Sequence, residues 1–98
     1  MLTLSPRLGE LLTRATQTPD LETALWKVLS EYVDLKVAAL TETNQRFEQK
    51  WKASFAEFAR RSRDNTLGQD PYSLEVERDF WEWEQTLTLL EHYQALKP

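Results

Sequence analysis

His92 is the only imidazole in this chain of 98 residues, cysteine is absent, and sixteen Asp and Glu side chains hold most of the remaining capacity for acid–base or metal chemistry. A structural zinc site needs four thiolate or imidazole ligands and a catalytic one needs three protein ligands with an open position. One histidine supplies neither. Carboxylate-bridged metal sites in helical bundles use Glu-x-x-His pairs, whereas His92 directly follows Glu91, and neighbours in a helix do not face each other. General acid–base catalysis asks for a carboxyl group held in a pocket that shifts its pKa; here the acids are spread along helix faces that read as solvated. There is no HExxH, no glycine-rich phosphate loop and no nucleophile elbow. The residues therefore specify no reaction, and a non-enzyme with no cofactor and no metal is expected.

What remains is non-covalent chemistry, carried by charge and aromatic surface. Residues 64–98 hold Asp64, Asp70, Glu75, Glu77, Asp79, Glu82, Glu84 and Glu91 against Arg78 and Lys97, a balance of −6, so residues 1–63 carry +2 of the total of −4. Arg46, Lys50, Lys52, Arg60, Arg61 and Arg63 concentrate the basic excess. Basic residues with nearby aromatics can neutralise phosphates and stack bases, which makes Arg60, Arg61 and Arg63 the candidate phosphate contacts. The chain is acidic overall and shows no recognition-helix motif, so nucleic-acid binding ranks behind a protein partner. An acidic C-terminal arm suits a basic protein or the chain's own basic middle.

The stretch DFWEWEQTLTLLEHY, residues 79–93, concentrates that arm. On a helix Val76, Phe80, Trp83, Leu87 and Leu90 step by four and three, the spacing of a packing stripe. Trp81 stands one position off the stripe and either covers the end of the chain's own core or anchors another chain, since Trp is enriched at the centres of interfaces. Asp79, Glu82 and Glu84 alternate with these aromatics and could guide a basic partner. Trp81, Asp79, Glu82 and Glu84 are the candidate partner-binding residues.

Four helices are needed to place these groups, and the class expected is all-α. Ser5-Pro6 marks an N-cap followed by proline at the first helical position, opening a short helix to about Thr16. Asp20 can cap the next. From Leu21, the residues Leu21, Leu25, Val28, Tyr32, Leu35 and Ala39 form a coiled-coil-like seam. Trp26, Leu29, Val33, Leu40, Phe47 and Trp51 run beside it, making a face wide enough for more than one neighbour. A helix reaching Lys50 would be about 45 Å long at 1.5 Å per residue. It must protrude from a compact chain or be covered by a second one, which points to a homo-oligomer. Ser54 and Glu57 form a capping box for a short helix to about Arg63, with Phe55, Phe58 and Ala59 as its buried face. A polar loop containing Gly68 and Pro71 follows, and Ser73 can cap a final acidic helix from Leu74 to about Leu96. The stripe of the final helix repeats the four–three spacing of the seam on the long helix, and the two could pair in antiparallel fashion. The whole reads as one domain, 1–98, with 1–19 as an accessory helix and 20–98 as a helical hairpin core.

No eighteen consecutive apolar residues occur, so no membrane span is expected. The first twenty residues lack the basic start and apolar run of a signal peptide. With no cysteine, this fits a cytoplasmic protein.

Phe47, Lys50, Trp51, Ser54, Phe55, Phe58, Asp79, Trp83 and Glu84 together make a pattern that resembles a group of small archaeal and cyanobacterial helical proteins. In that group a long helix ends in a Phe-x-x-Lys-Tyr element, a Ser-Phe-x-x-Phe turn follows, and an acidic helix opens with an aspartate and a Trp-Glu pair. Trp51-Lys52 stands where the group more usually carries Tyr-Gly. The resemblance spans about residues 21–93. These proteins are similar to antitoxin halves of two-gene modules paired with TumE-type toxins, so the resemblance implies a protein-binding role toward a small basic toxin.

Overall fold

The computed structural model describes residues 4–96. Within them lie four helices, α1 (Pro6–Thr16), α2 (Leu21–Trp51), α3 (Phe55–Arg63) and α4 (Leu74–Ala95), and the class is all-α. Each helix starts at the cap its sequence offers. The side chains of Ser5, Asp20, Ser54 and Ser73 accept hydrogen bonds from the amides of Leu8, Thr23, Glu57 and Val76, each satisfying one of the donors that a helix start leaves open. The capping box expected at α3 forms by half. Ser54 accepts from the Glu57 amide at 3.2 Å, while the Glu57 carboxylate turns outward to Arg60 and Arg61, because two guanidiniums offer more than one backbone amide does.

α2 ends where Lys52 takes a left-handed backbone conformation, φ 52°. Glycine enters that region freely, whereas a side chain there costs about 1–2 kcal/mol. The elbow turns the chain into α3, and the loop through Gly68 (φ 83°) returns it so that α4 runs antiparallel to α2. The pairing is fixed at three levels: Trp51 bonds Asp79, Trp83 bonds Asn44, and the rings of Tyr32 and Tyr93 meet edge-on at 6.3 Å.

The core is aromatic. Phe58, Val76 and Trp83 are buried, with Phe47, Trp51, Phe55, Leu67, Phe80 and Leu87 packed around them. Phe47 stacks on Trp83 at 5.4 Å, and Phe58 meets Trp51, Phe80 and Trp83 at 4.8, 6.2 and 5.2 Å. Such pairs each add about 0.5–1.5 kcal/mol beyond the area they bury. Leu67 belongs to the segment read as a polar loop, yet its side chain closes this cluster.

α4 does not pack on the seam of α2. The line of α2 that faces α4 carries Val33, Leu40, Asn44, Phe47 and Trp51, the second stripe rather than the heptad seam. The seam lies about a third of a turn away, with Val28, Tyr32, Leu35 and Ala39 exposed. The sequence favoured the seam because its residues are uniformly apolar; the working line includes Asn44, whose side chain fits only because Trp83 Nε1 donates to it at 2.7 Å.

α1 packs on α2 alone. Ala24, fully buried, lies nine residues and hence half a turn from Val33, so α1 and α4 occupy opposite sides of α2. Lys27 Nζ reaches back to the Thr16 carbonyl oxygen at 3.0 Å. The molecule is a rod of 58 × 19 × 18 Å with a radius of gyration of 19.8 Å, against about 13 Å for a compact chain of this length. The long helix thus makes the chain elongated and not compact.

Candidate partner-binding surface

The four acidic-arm candidates do not share one environment. Asp79 is 4% exposed, Oδ2 accepting from Trp51 Nε1 at 3.0 Å and pairing with Lys50. It lies three residues after Val76 and four before Trp83, which turns it toward α2. Lys50 also reaches Glu75 at 3.1 Å, and the hydrogen bond to Asp79 is the main cause that raises the Lys50 ammonium above its ordinary pKa. Asp79 is thus an internal tie between α2 and α4, not part of an outer docking surface. Its burial corrects the assignment of this residue to partner contact. Asp79→Ala should cost about 1–3 kcal/mol by leaving the Trp51 indole donor without its acceptor. Paired urea melts of the variant and the parent check this, and Asp79→Asn, which keeps an acceptor, should lose less.

Trp81, Glu82 and Glu84 do lie outside. Trp81 is 72% exposed, on the face of α4 turned away from α2, together with Leu74, Gln85, Thr88 and His92. On one side of the indole is a depression of about 380 Å³ lined by Ser62, Pro71, Tyr72, Val76, Glu77, Phe80 and Trp81. On the other is a second of about 380 Å³ lined by Trp81, Glu84, Gln85, Thr88 and Leu89. The ring therefore forms a ridge between two hollows, the first of them mostly apolar.

Glu77, Glu84 and Glu91 follow one another at intervals of seven and line one edge of this face, while Glu82 stands at the other; all four are exposed. Seven residues are close to two helical turns, so the three carboxylates stack in a row about 10 Å apart. Among the described residues none of the four is engaged in an ion pair, whereas Glu10, Glu57, Asp64, Glu75 and Asp79 are. Glu77 and Glu91 were not singled out in the sequence, although their seven-residue register with Glu84 would have pointed to them.

Half of the basic middle, Lys50, Arg60 and Arg61, is spent on ion pairs within the chain. Arg60 pairs with Glu57 and Asp64, and Arg61 Nε bonds Glu57 Oε1 at 3.1 Å. The hydrogen bond from Arg60 is the first cause holding the Glu57 carboxyl below its ordinary range. Of the three candidate phosphate contacts, Arg63 alone is exposed and outside these pairs. It lines a polar loop hollow of about 580 Å³ with Ser62, Asn65, Gln69, Asp70 and Tyr72. A single guanidinium beside a carboxylate makes a weak anion site.

Among the described residues, no three His, Asp or Glu side chains gather closely enough to hold a metal ion, and no helix is long and apolar enough to cross a membrane. Comparison with protein-family models, with curated proteins and with solved structures returns no match. The fold and surface define an elongated all-α protein with an aromatic–acidic outer face on its C-terminal helix.

Proposed function

We propose that this chain is a non-catalytic, cytoplasmic protein-interaction subunit whose outer α4 face docks a basic segment of a partner protein. One observation carries the reading: Trp81 stands exposed between two hollows, edged by carboxylates that no cation among the described residues pairs with. Large exposed aromatics of this kind supply interface anchors, and a one-signed rim accelerates and orients encounter with the opposite charge. The balance across Glu77, Arg78, Glu82, Glu84 and Glu91 is −3, which fits an amphipathic segment with an apolar side for the hollows and Lys or Arg for the row. The narrower form of the proposal, an antitoxin-like subunit covering a small basic toxin, is supported by the resemblance of residues 21–93 and uses the same surface.

Trp81→Ala tests it. The tagged chain is used to capture partners from its host, and the copurifying small basic protein is then titrated in purified form against parent and variant. A loss of about 2 kcal/mol, roughly 30-fold in Kd, is expected with helicity unchanged, and affinity should fall as salt rises. Equal affinity of parent and variant, or capture of nothing but the bait itself, would end the reading.

A further inference from the structure

The geometry points to a parallel, two-fold dimer in which the N-terminal half of α2 pairs with the same segment of a second copy. Leu21, Leu25, Val28, Tyr32, Leu35 and Ala39 keep the alternating four–three spacing of a coiled coil, yet α4 lies on a different side of α2 and α1 reaches only the first turns. From Val28 onward the seam residues Val28, Tyr32, Leu35 and Ala39 are exposed, and Tyr32 leans edge-on against Tyr93. Leu35 is 71% exposed and Tyr32 half exposed. Trp26 and Leu29 adjoin it where α4 has already ended, so five large apolar side chains lie open within ten residues.

Two quantities select a second copy as the occupant. The chain exposes 7432 Å², roughly 1,600 Å² more than a compact 11.6 kDa protein would. A pair burying about 800 Å² from each copy reaches the size of a stable interface and leaves the Trp81 face open. Charge makes the same choice. Residues 21–40 carry Glu22, Glu31 and Asp34 against Lys27 and Lys36, close to neutral, so this segment can meet itself, whereas the carboxylate row on α4 would repel its own copy.

Register follows from the flanks. With Leu25, Tyr32 and Ala39 at heptad position a and Leu21, Val28 and Leu35 at d, Glu31 falls at g and Lys36 at e. In a parallel pair the g residue of one helix faces the e residue five places on in the other, which joins Glu31 to Lys36 twice across the two-fold axis. An antiparallel pair would set each flank against its own kind, glutamate facing glutamate.

The absence of cysteine in this chain makes the test direct. In a parallel dimer, position 35 of one copy meets position 35 of the other. Leu35→Cys should therefore form a disulfide-linked dimer under mild oxidation of the full chain, and Trp81→Cys should not. Sedimentation of the parent at micromolar concentration is expected to give twice the chain mass, and Leu35→Glu, a change at an exposed site, to give one chain mass with helicity retained. A monomeric parent overturns the dimer. A dimer that survives Leu35→Glu overturns the surface, and a parent dimer whose Leu35→Cys variant does not cross-link overturns the parallel register. None of these readings depends on the Trp81 face.

Discussion

Trp83→Ala is expected to remove about 3–5 kcal/mol of stability, a large share of the 5–15 kcal/mol typical of a folded domain. The indole is fully buried, stacked on Phe47, edge-on to Phe55 and tilted against Phe58 at 5.2 to 5.4 Å, so its deletion leaves a cavity in the middle of the α2–α4 contact. It also leaves the Asn44 side-chain oxygen, now 2.7 Å from Nε1, without its donor. Urea denaturation followed by circular dichroism measures the loss. The two contributions separate with Trp83→Phe, which keeps most of the volume and drops the donor, and with the double change Trp83→Phe/Asn44→Leu. Replacing both hydrogen-bond partners by apolar groups is expected to recover part of what the single change loses. No recovery would mean that the volume, and not the bond, sets the cost.

Phe58→Ala should be nearly as severe, about 3–5 kcal/mol, but with a different spatial pattern. Phe58 is the one fully buried residue of α3, and its ring touches side chains from both long helices. α3 has nine residues, too few to persist alone in water, so its helicity depends on that anchorage. Amide hydrogen exchange should show α3 losing protection before the α2–α4 pair does. If α3 keeps its protection in the variant, the anchor lies elsewhere, with Phe55 the next to change.

The helices themselves were legible because their boundary signals are local. Ser5, Asp20, Ser54 and Ser73 are caps by side-chain chemistry alone, and Val76, Phe80, Trp83 and Leu87 repeat with the helical period. What could not be read was which of two stripes on α2 would receive α4. An asparagine lowers the apparent worth of the stripe that wins, and only its tertiary partner, Trp83, reveals why it is tolerated. Asp79 misled for the same reason. An aspartate set among tryptophans reads as a solubilising charge until Trp51 and Lys50 are brought to it from 28 and 29 positions away. Trp81 was readable as an outlier from the stripe, but the sequence left open whether it capped the core or faced outward, since that depends on where α2 lies. Arg60 and Arg61 looked like cations available to phosphate; one turn earlier on the same helix, Glu57 takes both.

The attachment of α1 to α2 alone gives the rod two ends of unequal permanence. Undocking α1 exposes Ala24 and breaks the Lys27–Thr16 bond, yet it leaves the aromatic cluster around Trp83 untouched at the far end. The free energy of opening there is set by what α1 itself buries and lies well below that of unfolding the whole molecule. The N-terminal helix is thus a separately released unit, and the chain can loosen at one end while the other remains closed.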